Sequence, residues 1–136
     1  VLLIKRKFAP GLGSWALPGG FRNAKETFLD CAIRELIEET NVRVPEKVLR
    51  GSIVTTHLFD DPKRSQGIPR NTLAVLIKIQ PDADGKCPRA NGQDDALETE
   101  WVPIIDALNN YQLYDDHADI ISKLTGTTAY PAALSI

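Results

Sequence analysis

At 136 residues, with 43% hydrophobic and 25% charged side chains, the chain has the length and composition of one soluble globular domain. A formal net charge of −2 supplies no basic excess, which argues against nucleic acid or a membrane surface as partner. No apolar run approaches the roughly 20 residues that cross a bilayer, and the opening Val1-Leu2-Leu3-Ile4 is too short for a signal peptide. Cys31 and Cys87 match no metal spacing and read as free thiols of a reducing compartment, which points to the cytoplasm. The sequence has no methionine and begins inside an apolar run. We therefore expect 1–136 to be a single domain that lacks its N-terminal strand or an upstream domain.

Residues 1–6 form an apolar run ending in basic side chains and are expected to be a strand. Pro10, Gly11 and Gly13 break it, and a short strand over 15–17 is stopped by Pro18-Gly19-Gly20. The strongest helix follows. Thr27 is its expected N-cap, with Asp30 three residues on completing a variant of the capping box. Phe28, Leu29, Ala32, Ile33, Leu36 and Ile37 recur at helical spacing and are expected to form the buried stripe. Thr40-Asn41 ends the helix, because Asn tolerates the left-handed conformation a helix terminus needs. Strands are expected over 48–59 and 72–79, which are rich in Val, Ile, Thr and Leu, with polar loops over 60–70 and 81–96. A short strand over 100–102, a small helix from 104 and a last helix capped by Asp115 or Asp116 complete the order. Strands and helices alternate irregularly, so the class is α/β with a partly antiparallel sheet.

The chemistry is concentrated between residues 20 and 42. Gly20 is followed after five residues by Glu26, and after seven more by Arg34-Glu35-Leu36-Ile37-Glu38-Glu39, with Asn41 and Val42 closing the run. On a helix Glu35 and Glu39 are four apart and share a face, with Glu38 beside them. Like charges so placed repel by about 0.2–0.5 kcal/mol per pair, so something should compensate. A hard divalent cation suits such carboxylates, and Arg34 offers partial relief to Glu38 and Glu26. The glycines just before the helix let the backbone approach a ligand closely. A turn, an acidic helix and a loop thus make a candidate oxygen-lined metal site, the kind that suits diphosphate chemistry.

This stretch resembles the Nudix box, G-x5-E-x7-R-E-U-x-E-E-x-G-U with U a bulky apolar residue. Gly20, Glu26, Arg34, Glu35, Leu36, Glu38, Glu39 and Val42 match it. Asn41 stands where the family has Gly, at a position that ends the helix rather than taking part in chemistry. The resemblance implies an α/β/α sandwich around a mixed, partly antiparallel sheet, and hydrolysis of a nucleoside diphosphate linked to another group. It implies Mg²⁺ or Mn²⁺ held by Glu35 and Glu39, with Glu38 and the Gly19 carbonyl assisting and Arg34 orienting the carboxylates. The general base in the family is a box glutamate or an acidic residue on a later loop, which here would be Asp94, Asp95 or Glu98; Asp95 is the expected one.

The flanking sequence resembles the ADP-ribose pyrophosphatase domain of bifunctional nicotinamide mononucleotide adenylyltransferase/Nudix proteins. Its carriers are Lys5-Arg6-Lys7, the run from Gly13 to Phe21, His57-Leu58-Phe59 through Arg64, Asp94-Asp95-Ala96 leading to Trp101-Val102-Pro103, and Tyr114-Asp115-Asp116-His117 with Ile120-Ile121. That resemblance implies ADP-ribose as substrate, with an upstream adenylyltransferase domain or a homodimer as possible assembly. Arg6 and Arg64 are candidates for pairing with phosphate oxygens, Phe59 for stacking, and Gly20 for close approach to substrate. Alternatives in keeping with the same residues are a Nudix hydrolase of a dinucleoside polyphosphate, nucleotide sugar or oxidised nucleotide, and a non-catalytic ADP-ribose sensor.

Overall fold

A computed structural model describes residues 1–64, 70–91 and 96–128, without the side chains of 96 and 97. Strand β1 (Leu2–Arg6) lies in the middle of a three-stranded antiparallel sheet, between β2 (Trp15–Ala16) and β5 (Ala96–Trp101). Successive side chains of a strand point to opposite faces, and β1 puts a large apolar residue on each. Leu2 enters a cluster with Ile33, Val42 and Leu49, whereas Leu3 enters another with Val102, Ala107 and Ile121. Helices α1 (Phe28–Thr40) and α2 (Glu46–Gly51) thus cover one face. Helices α3 (Ile104–Asn110) and α4 (His117–Thr125) cover the other. This is the expected α/β/α layering.

A second antiparallel pair joins β3 (Ile53–Phe59) to β4 (Thr72–Ile77). Parallel pairing among the described residues is confined to one bridge, between Trp15 and Leu113.

The structure corrects the sequence reading in three places. Residues 48–52 do not continue β3 backwards. Pro45 stands at the N-cap of α2, Glu46 and Arg50 pair one turn apart at 2.9 Å, and Leu49 is fully buried. Proline at a helix start and an i,i+4 ion pair outweigh the strand preference of Val48. In α1 the buried positions are Cys31, Ile33, Glu39 and Thr40, while Phe28 and Leu29 are exposed. The Phe28 ring lies instead beneath the Arg22 guanidinium, 4.7 Å away. Finally, β5 begins at Ala96, four residues before the strand expected at 100–102, because Arg6, Ile4, Leu3 and Leu2 all find partners on it.

Candidate active site

Helix α1 is fixed at both ends by local chemistry. The Asp30 N–H donates to Thr27 Oγ1 at 3.0 Å and the Thr27 N–H to Asp30 Oδ2 at 3.2 Å, a complete capping box. At the other end Asn41 is left-handed (φ 48°, ψ 38°) and its N–H donates to the Ile37 carbonyl at 2.8 Å. Both expectations for these termini hold.

Between the caps, the acidic face meets the Pro18-Gly19-Gly20 turn. Glu39 is buried (7% exposed), and the Gly19 N–H donates to its Oε1 at 2.7 Å. Glu35 lies against Gly20: a Cβ on that glycine would come within 2.5 Å of Glu35 Oε1. Gly20 is therefore needed for close approach, here of a carboxylate.

Arg34 ties the surroundings together. Its Nε and Nη2 donate to the two carboxylate oxygens of Glu26 at 2.9 and 2.7 Å. Its Nη1 donates to both Glu35 and Glu38, at 2.8 and 3.1 Å, and its Nη2 to the Phe21 carbonyl at 3.2 Å. Bidentate pairing of this kind strongly favours the charged forms. The Arg34 hydrogen bonds, with the Asn23 N–H, hold the Glu26 carboxyl down at about 2, and Glu26 in turn raises the pKa of Arg34. Buried Cys31 donates its thiol to the Gly20 carbonyl at 3.6 Å, and burial pushes the thiol pKa up.

Glu35, Glu38 and Glu39 share one helix face backed by a glycine turn, and carboxylate oxygens are the ligand type that Mg²⁺ or Mn²⁺ takes. Among the described residues no three acidic, His or Cys side chains are gathered closely enough to hold an ion as they stand. Arg34 engages Glu35 and Glu38, while the turn engages Glu39. What the structure shows of Gly19 is its N–H, donated to Glu39, rather than a carbonyl aimed at a metal.

A family model described as NUDIX domain matches residues 1–124. The chain belongs to the Nudix family. An ADP-ribose pyrophosphatase of Methanocaldococcus jannaschii is 35% identical over 122 residues, 89% of this Nudix chain and 63% of that protein. A bifunctional NMN adenylyltransferase/ADP ribose pyrophosphatase from Francisella tularensis, solved with AMP and a manganese ion, superposes with a TM-score of 0.84 at 33% identity. The match covers 92% of this chain and 37% of that one. The Nudix domain of Shewanella oneidensis NrtR, solved with ADP ribose, gives a TM-score of 0.70 at 26% identity and covers 93% and 75% of the two chains. The chain thus spans less than two thirds of the first two relatives.

The remaining candidates of this Nudix domain are less uniform. Arg64 is not poised for a phosphate. Its Nε and Nη2 fork onto Asp116 at 2.7 and 2.9 Å, and its Nη1 donates to Thr72 Oγ1 and the Arg70 carbonyl. Asp116, expected to cap α4, gives its carboxylate to this pair and makes no side-chain cap. Arg6 donates to the Pro10 carbonyl at 2.8 Å and stacks over Tyr114, 4.1 Å from the ring centre. Phe59 ends β3, edge-on to His57 at 4.8 Å. Glu98 is exposed and pairs with Lys5 at 3.5 Å. Asp94 and Asp95 lie outside the described residues.

Sequence reasoning missed the strength of one fixture. The Leu17 N–H donates to His117 Nδ1 at 3.0 Å, across 100 residues, so α4 holds the strand that leads into the glycine turn. The Tyr-Asp-Asp-His run was its only local sign.

Proposed function

We propose that this Nudix domain hydrolyses the diphosphate bond of ADP-ribose, giving AMP and ribose 5-phosphate, with Mg²⁺ or Mn²⁺ as cofactor. The observation that carries the reading is the carboxylate face of α1 set against the glycine turn, with Arg34 at its centre. The names of the archaeal and Francisella relatives favour ADP-ribose over other diphosphates. On the Francisella precedent, an adenylyltransferase domain elsewhere in the full-length protein belongs to the same proposal.

Glu35, Glu38 and Glu39 would hold the cation. When bound, it neutralises diphosphate charge and lowers the pKa of a nearby water. The chain's own residues do the rest. Arg34 fixes the direction of Glu35 and Glu38, and the Gly19 N–H fixes Glu39. Glu38, with 49% of its side chain exposed, is the box carboxylate open to a water and takes its proton; Asp95 is the alternative base. The water oxygen bonds to one phosphorus, the bridging P–O bond breaks, and the second phosphate leaves with that electron pair. No covalent intermediate is needed.

A panel of ADP-ribose, a dinucleoside polyphosphate, a nucleotide sugar and an oxidised nucleoside triphosphate, each with Mg²⁺ or Mn²⁺, tests this. AMP with ribose 5-phosphate as the main products supports it, and preference for another diphosphate replaces the substrate. Tight ADP-ribose binding without turnover makes the domain a sensor. Glu39→Gln keeps the acceptor for the Gly19 N–H but removes the charge. Ligand supports alone are worth 10–100-fold, so loss of a ligand's charge should cut turnover by about 100-fold or more. Full activity of that variant overturns the metal assignment.

A further inference from the structure

Phe21 follows the glycine turn and is 79% exposed. Single apolar side chains on a surface are ordinary, but the anchoring of this one is not. Its carbonyl accepts from Arg34 Nη2 at 3.2 Å, the Gly20 carbonyl before it accepts from the Cys31 thiol at 3.6 Å, and Gly20 itself lies on the Glu35 carboxylate. The backbone is pinned at the carboxylates while the ring is left in solvent. Facing it, from the far side of the β3–β4 connection, is Arg70. Its guanidinium is 5.6 Å from the centre of the Phe21 ring, which is its one side-chain partner among the described residues. The Arg70 carbonyl accepts from Arg64 Nη1 at 3.0 Å, so this arm too is held at its base, by the Arg64–Asp116 pair.

An aromatic face offers any nucleobase a stacking partner, and a guanidinium offers phosphate oxygens a charged fork. Here the two stand together, and Phe21 directly follows the turn against which the acidic cluster of α1 lies. A nucleoside diphosphate is the ligand class that has a flat base and an anionic diphosphate in one molecule. We propose that Phe21 and Arg70 form a nucleotide clamp at the edge of the site, with the Phe21 ring stacking on the base and Arg70 pairing with the diphosphate. This assignment rests on the reading of the site as a nucleoside-diphosphate hydrolase.

The test combines ADP-ribose kinetics with calorimetric binding of AMP and of inorganic pyrophosphate, a base-free probe, in Mg²⁺. Phe21→Ala should raise KM for ADP-ribose and weaken AMP binding by about ten-fold, the scale of one base stacked on an aromatic ring, with pyrophosphate binding and kcat unchanged. Phe21→Trp should restore affinity, and Arg70→Ala should weaken AMP and pyrophosphate alike. A Phe21→Ala protein that still cleaves ADP-ribose with unaltered KM overturns the clamp alone. So does equal weakening of AMP and pyrophosphate, because the ring would then act only through the shape of the turn. Phe21-dependent AMP binding without cleavage of any diphosphate overturns the hydrolase reading and leaves the clamp standing. Failure of the wild-type protein to bind AMP or ADP-ribose overturns the clamp.

Discussion

Gly20 sets the position of a charged group by having no side chain of its own. Its backbone is not in the left-handed region, so alanine is sterically acceptable to the chain, but the added Cβ would collide with the end of Glu35 at 2.5–2.9 Å. The flexible carboxylate would swing away at little cost to folding. Gly20→Ala should therefore melt within a few degrees of the wild type yet lose most of its turnover, as thermal melts and a product assay on one preparation would show. A melting point that collapses would instead place the glycine in the core of the fold. His117 makes a different single-residue prediction. Burial lowers its pKa from 6.5, and its Nδ1 must stay unprotonated to accept from the Leu17 N–H. The unfolded chain then takes up a proton more readily than the folded one. This contribution is intact above pH 6.5 and falls away as pH drops from there through the lower folded value. Melting temperatures from pH 8 to 5 should decline, and His117→Asn should flatten that decline.

The first and last turns of α1 are where the sequence was most readable, because everything they need is within four residues. Thr27 and Asp30 cap each other, and Asn41 adopts the one conformation that lets the chain leave the helix. Thr27→Ala removes the acceptor for the Asp30 N–H and should cost about 1 kcal/mol, read as a lower denaturation midpoint with an unchanged denaturant slope. The spacing of Glu35, Glu38 and Glu39 was legible for the same reason. The burial of each was not. Glu39 is enclosed because Gly19 arrives from 20 residues away, and no helical period records that. The Phe28 and Leu29 positions mislead in the opposite sense: they keep the helical repeat but lie in the first turn, where Arg22 rather than the sheet covers the Phe28 ring. α2 escaped notice because six residues are too few to establish a period, and only Pro45 and the Glu46–Arg50 pair marked it.

On the scale of the molecule, the alternation of Leu2 and Leu3 in a central strand divides the core into two layers; the apolar run itself marked the strand but not its two covered faces. What no local pattern gives is the joint between the β3–β4 connection and the start of α4. Arg64 and Asp116 are separated by 52 residues, are each 10% exposed in their side chains and meet through two hydrogen bonds. Removing one member leaves the other charge enclosed, so Arg64→Ala should destabilise the nucleotide-free protein by about 3 kcal/mol. Chemical denaturation without ligand checks this, and a residue that served only to grip phosphate would leave that midpoint unmoved. The Arg34 junction has a related consequence for how damage accumulates. The Phe21 carbonyl just past the glycine turn, the Glu26 loop and the acidic helix all converge on one guanidinium. Losses there should not add: once Arg34→Gln has released its neighbours, Glu26→Gln has little left to undo, and the double variant should be markedly less impaired than the two singles summed.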